Sequence, residues 1–200
     1  MPGGESYRNR SVLSYHYYEP PDFSKTLNFN ARKHDLQNLK CGGFLTEMFT
    51  VGSDFDSMYK MFDLADEYKQ SWQGWMYKPY GCVKEFLACY NETKPGHKHI
   101  VVQNLSRTYP QAVAGHTKSY SFDKDSRHFS LTYAVKLGCS NVRTEVYFNK
   151  KMHYSNGYDY KVTPKNKVKV QESEDGLKLF LDHSDELMPG TIINFNLVPI

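Results

Sequence analysis

The chain has no apolar run long enough to cross a bilayer, which excludes a membrane-spanning helix in this stretch. Charge of one sign is also missing. Twenty-five Lys and Arg against 22 Asp and Glu leave a net charge of +3, and the basic residues are scattered, so nothing argues for a nucleic-acid partner. The four cysteines (Cys41, Cys82, Cys89 and Cys139) contain no CxxC pair, which argues against a zinc site. The first residues, Met1-Pro2-Gly3-Gly4-Glu5, have no hydrophobic h-region and do not read as a signal peptide.

Aromatics, by contrast, are abundant: 16 Tyr, 12 Phe and two Trp. Such rings fill β-rich cores, and a Tyr-rich surface also suits sugars, because a ring face covers the C–H face of a pyranose while the hydroxyl stays hydrogen-bonded. Three N-glycosylation triplets begin at Asn9, Asn91 and Asn104. With an even cysteine count they tilt toward a secreted or lysosomal setting. Cys82 and Cys89, flanking one short segment, are the candidate disulfide, with free buried thiols as the alternative. A secretory-type body without a leader leads to the expectation that the chain begins partway into a longer protein.

The first half alternates strand and helix signals. Ser11–Tyr18, Gly43–Glu47 and Trp72–Tyr77 read as strands. Phe55, Met58, Tyr59, Phe62, Ala65 and Tyr68 recur at helical spacing after Ser53-Asp54-Phe55-Asp56, which has the form of a capping box. A polar stretch runs to about Lys40, and a shorter helical pattern (Ile100, Val101, Leu105) stops at Pro110. That is three βα units. After about Gln111 the pattern changes to short alternating runs: Tyr120–Phe122 and Phe129–Val135 as a hairpin, then Thr144–Phe148, Tyr158–Val162, Val168–Val170, Leu177–Leu181 and Ile192–Leu197. Turns at this spacing predict an antiparallel β-sandwich. The expected fold is therefore the C-terminal part of a (β/α)8 TIM barrel over residues 1–110, followed by a β-sandwich over 111–200. A complete barrel takes about 250 residues, so three units are only its last part.

Each of the three barrel strands carries a functional side chain at or near its C-terminal end, where such barrels hold their active sites. A strand-end glutamate, Glu47, suits the nucleophile of a glycosidase, which needs two carboxyl groups flanking the scissile bond. His16 and Tyr18 lie two apart and share a strand face, so Tyr18 could reach Glu47 while His16 bonds a sugar hydroxyl. Trp72 and Trp75 offer floors for the sugar ring. Taken singly, each residue has a plain alternative: a solvated carboxylate, a structural histidine, a core aromatic. The order His-x-Tyr, Glu, Trp on successive strands is harder to reach by chance.

His16-Tyr17-Tyr18, Leu45-Thr46-Glu47 and Ser71-Trp72-Gln73-Gly74-Trp75 resemble the sixth, seventh and eighth strands of glycoside hydrolase family 5. Ser71–Lys78 and Leu105–Gly115 resemble its endoglycoceramidase branch. The resemblance implies a retaining endo-glycosidase that cuts glycosphingolipids between oligosaccharide and ceramide, needs no metal or organic cofactor, and has contact with a membrane surface among its implied partners. It makes Glu47 the nucleophile, Tyr18 the residue that orients and tunes it, and His16, Trp72 and Trp75 the sugar-site residues. The family's acid/base glutamate follows an asparagine at the end of the fourth strand. The chain's only Asn-Glu pair, Asn91-Glu92, lies after the eighth strand and does not match it, so the 200 residues alone are expected to be inactive. Phe23, Leu27 and Phe29 are candidates for the wall of a ceramide groove, or else anchors for the Pro20-Pro21 loop. The alternatives are a non-enzymatic glycan- or lipid-binding sandwich with a vestigial barrel, or a family 5 glucosidase of other specificity.

Overall fold

The computed structural model describes residues 4–18, 25–48, 55–74, 103–136 and 143–200. The chain divides into two compact units, Met1–Val102 and Gln103–Ile200, a few residues ahead of the boundary expected near 110.

In the first unit a 3-10 helix (Glu5–Arg10) leads into β1 (Val12–Tyr17), α1 (Lys25–Leu39), β2 (Gly42–Met48), α2 (Phe55–Glu67) and β3 (Ser71–Trp72). The strands lie in the order β1-β2-β3, and both pairings are parallel. Parallel neighbours need a crossover between them, and α1 and α2 supply it. Four of the six residues expected in the apolar stripe of α2, Met58, Tyr59, Phe62 and Ala65, are buried; Met61 and Leu64 are buried beside them, and Tyr68, just past the helix, is partly buried. Helix α1 is harder to see in the sequence because its surface is polar, with Arg32 paired to Asp35 at 3.0 Å. Phe29 is its fully buried anchor, with its ring 5.5 Å from that of Tyr68. This excludes one of the two readings of Phe29: it packs inside the first unit as an anchor and offers no face to a lipid groove. Phe23, the side chain of Leu27, the Pro20-Pro21 loop and the Ser53-Asp54 cap lie outside the described residues.

The second unit holds two four-stranded sheets. One has the order β4-β7-β10-β9, from β4 (Tyr109–Ala112), β7 (Thr144–Tyr147), β9 (Val168–Glu172) and β10 (Lys178–His183). The other has the order β5-β6-β11-β8, from β5 (Gly115–Phe122), β6 (Phe129–Val135), β8 (Tyr158–Thr163) and β11 (Ile192–Pro199). Every pairing within them is antiparallel. Period-2 alternation decides which side chains turn inward. Phe129, Leu131, Tyr133 and Val135 of β6 and Ile193, Phe195 and Leu197 of β11 come from one sheet; Val146, Leu179 and Leu181 come from the other. They form a single buried cluster, which is what two sheets packed face to face produce.

Two elements of this unit escaped the sequence reading. The helical pattern does end ahead of Pro110, its described part being residues 103–105, but Pro110 itself lies inside β4. That strand pairs only with β7 and so lies at the sheet edge, where a residue lacking an N–H is tolerated. Helix α3 (Lys150–His153) is a single turn capped by Asn149, whose side chain accepts from the Met152 amide at 3.1 Å. Asn149 Nδ2 also donates to Ser106 Oγ at 3.2 Å, and His153 Nε2 bonds the Ser106 carbonyl. The third residue of the Asn104 glycosylation triplet is thus tied to α3.

Gly115 opens β5 opposite Val135. A Cβ there would fall on the Ala134 carbonyl oxygen and lie 3.2 Å from Tyr133 Cδ2. Backbone cannot rotate aside as a side chain can, so Gly115→Ala is expected to destabilise the sandwich by about 1–3 kcal/mol. Thermal unfolding of the 200-residue chain checks this, and an unchanged midpoint would contradict the close approach.

Candidate active site

The site rests on an irregularity in the β1–β2 ladder. Tyr15 is opposite Leu45, but the next residue of β1, His16, is opposite Glu47, so one residue of β2 is extra. Without that bulge Glu47 would share the face of Leu45, two residues earlier. Leu45 is fully buried, as are Tyr17 and Met48, which pair with each other beyond the shift. The bulge turns Glu47 to the opposite face, the one that carries Ser14, His16 and Tyr18. A bulge is a recurrent means of re-aiming a side chain next to an active site.

On that face the three expected residues meet. The Tyr18 hydroxyl donates to Glu47 Oε2. His16 Nδ1 lies 3.3 Å from the same oxygen, and the two aromatic rings stand edge to face with centroids 6.2 Å apart. The cluster is open to solvent: the side chains of His16 and Glu47 are 52% and 26% exposed. Desolvation, followed by the hydrogen bond to Glu47 and its charge, pushes Tyr18 up to about 12. The ring itself is 42% exposed, so the carboxylate against its hydroxyl is the more local of these causes. Tyr18 therefore remains a protonated donor throughout the neutral range. A carboxylate fixed by a neutral donor, with an imidazole at its side, can attack an electrophilic carbon while its neighbours hold hydroxyl groups. Among the described residues no group of three or more His, Cys, Asp and Glu could hold a metal ion.

Trp72 does not join this cluster. It pairs with the buried Leu45, and its indole stacks on Phe62 of α2 with centroids 4.2 Å apart and planes at 24°. Its ring belongs to the layer between sheet and helix, which corrects its expected role beneath a sugar. The physical reason is parity: pairing with Leu45 puts it on the helix side of the sheet. Trp75 lies outside the described residues, as do Asn91, Cys82, Cys89 and Cys139. Asn9 falls in the 3-10 helix, and Cys41 is a free, partly exposed thiol.

The sequence reading missed two hydroxyls beside the site. Ser14 Oγ and Thr46 Oγ1 are 2.8 Å apart, and Thr46 Oγ1 donates to the Tyr15 carbonyl at 3.2 Å. A Thr immediately before a strand-end carboxylate was the only available signal.

A sheet with a strand-end carboxylate on its open face, followed by a separate β-sandwich, is an arrangement found in glycosyl hydrolases. Residues 107–194 match the glycoside hydrolase family 5 C-terminal domain. Over all 200 residues the chain is 58% identical to an endoglycoceramidase of Hydra vulgaris, covering 38% of that protein. It is 52% identical, over 99% of its length, to an endoglycoceramidase of Cyanea nozakii, covering 40% of that one. The fold is shared with endo-glycoceramidase II from Rhodococcus sp., solved as its lactosyl-enzyme intermediate. The TM-score is 0.70 at 17% identity, over 94% of this chain and 42% of that one. Cryptococcus neoformans sterylglucosidase 1 also shares the fold (TM-score 0.68, 14% identity, 95% and 38% covered). Residues 107–194 thus belong to the glycoside hydrolase family 5 C-terminal domain, and the sequence relatives of the chain are endoglycoceramidases. The chain spans about two-fifths of the length of those relatives.

Proposed function

We propose that these residues form the nucleophile-bearing side of a retaining endo-glycosidase site acting on glycosphingolipids, with β1, β2 and β3 as the sixth to eighth strands of a (β/α)8 barrel. The contact of Tyr18 with Glu47, beside His16, is the observation that supports this most directly. Glu47 attacks the anomeric carbon of the sugar joined to ceramide, and the bond to the ceramide oxygen breaks. The leaving oxygen takes a proton from a second carboxylic acid, and water then hydrolyses the glycosyl ester. Tyr18 keeps the carboxylate aimed and charged before attack, and its hydroxyl is released to the ring oxygen side as the ester forms. His16 is placed to bond a sugar hydroxyl. The acid/base group is assigned to the segment that the relatives carry beyond the matched region, since Glu92 does not fit the family pattern.

The test is a chimera in which the upstream segment of the Hydra relative is joined to this chain, incubated with a fluorescent glycosphingolipid. The expected products are the intact oligosaccharide and free ceramide. Release of single glucose units from sterol or flavonoid glucosides, with no intact oligosaccharide from the glycolipid, would favour the other family 5 specificity. Binding without cleavage would favour the non-enzymatic reading.

A further inference from the structure

We propose that Thr46 is a positioning residue for Glu47: its hydroxyl pins the one-residue bulge that turns the carboxylate onto the face of His16 and Tyr18. The inference rests on Glu47 as the nucleophile. Its test reads a contact and not turnover, so the two can fail separately.

A bulge disturbs a strand ladder locally. It inserts a residue with no partner opposite and interrupts the regular spacing of backbone hydrogen bonds. Nothing in the backbone alone fixes where the extra residue sits, and a slip by one position turns every following side chain to the other face. Here such a slip would bring Glu47 to the buried side, where Leu45 already lies without exposure. A charged group there would be unpaired and desolvated, while Tyr18 and His16 would lose their partner.

Thr46 sits at the irregularity, between Leu45 and Glu47. Its hydroxyl donates to the carbonyl of Tyr15, the last β1 residue before the shift. It has one proton to give, so the 2.8 Å contact with Ser14 is then a donation from Ser14 Oγ to Thr46 Oγ1. The result is a relay, Ser14 to Thr46 to the Tyr15 carbonyl, that fastens β2 to β1 at the residue where the register changes. A valine would fill the same volume with the same β-branched shape and could make neither bond.

Tyr18 reports the outcome: desolvation raises its value most, and the hydrogen bond and charge of Glu47 raise it further, so losing the contact removes that second part. The experiment follows Tyr18 in the 200-residue chain by the NMR shift of its labelled Cζ between pH 9 and pH 12, with Tyr18→Phe used for assignment. In Thr46→Val the Tyr18 midpoint is expected to fall measurably, by about half a pH unit or more, in the direction of the ordinary phenol value near 10. Thr46→Ser, which keeps the hydroxyl, is expected to titrate as the parent does. A merely structural Thr46 would lower the melting temperature and leave the Tyr18 midpoint in place, which would overturn the proposal. An equal fall in Thr46→Ser would also overturn it, because the hydroxyl would then not be the operative group. If Thr46→Val does not fold, Ser14→Ala takes its place: a fall of about half a unit or more supports the relay, and no movement contradicts it.

Discussion

Glu47→Gln, made in the chimera with the upstream segment of the Hydra relative, is expected to lower turnover of a glycosphingolipid by at least ~10⁴-fold. The amide has the size of the carboxylate and accepts the Tyr18 hydrogen bond through its oxygen, so the site keeps its shape. It carries no charge, however, and cannot form the glycosyl ester through which a retaining reaction passes. The loss belongs to kcat, while KM changes little, because the sugar is held mainly by other groups. Glu92→Gln serves as the control and is expected to leave turnover unchanged, since that glutamate lies outside the family pattern for the acid/base group. Comparable losses from both substitutions would remove the basis for assigning Glu47 as nucleophile.

The second large effect concerns the other half of the chemistry. The 200-residue chain alone is expected to turn over a glycosphingolipid at least ~10²–10⁴-fold more slowly than the chimera, the range a general acid supplies. A ceramide alkoxide is a poor leaving group, and without a proton donor its bond to the sugar breaks more slowly however well Glu47 is aimed. The comparison is made at equal concentration with a fluorescent substrate and separation of the products. Equal rates for the chain and the chimera would show that an acid within residues 1–200 does the work, and the assignment to the upstream segment would then be wrong.

Much of this architecture was legible because the periodicities are regular. The alternation in Phe129–Val135 and Ile192–Leu197 marks strands, and each run is a strand that buries alternate residues, Phe129, Leu131 and Tyr133 in one and Ile193, Phe195 and Leu197 in the other. Helix α2 carries its apolar stripe at 3.6-residue spacing, and Met58, Phe62 and Ala65 are buried accordingly. His16 and Tyr18 share a face because no irregularity separates them. The misses occur where periodicity breaks or where a neighbour decides. Nothing local announces the bulge at Thr46, so the facing of Glu47 could be guessed only from its company. Trp72 reads as a sugar platform until its pairing with Leu45 shows which side of the sheet it occupies. Pro110 reads as a helix stop because an edge position, the one setting that tolerates it in a strand, is a property of the whole sheet. Helix α1 hides its character because Phe29, the one buried side chain among its described residues, leaves little amphipathic signal on a polar surface.

These sources of error share a feature: each depends on a contact with another strand or helix. The site is the same in kind. Glu47 acquires its partners through a register shift between two strands 30 residues apart in sequence, a distance over which no local pattern carries information. The Tyr18 contact was expected from the shared strand face; the structural gain is the register shift behind it and the His16 imidazole beside the same carboxylate oxygen.

The central claim is that Glu47 forms the covalent bond to the sugar. It is tested most directly by trapping that bond in the chimera with a 2-deoxy-2-fluoro glycoside bearing a leaving group that departs without protonation. The fluorine slows both steps by destabilising positive charge at the anomeric carbon, and the activated leaving group restores the first of them. Peptide mass spectrometry is expected to find the fluorosugar on the β2 peptide, with fragmentation placing it on Glu47, and to find none in Glu47→Gln. A fluorosugar on any other carboxylate, or an active chimera that carries none, would contradict the account.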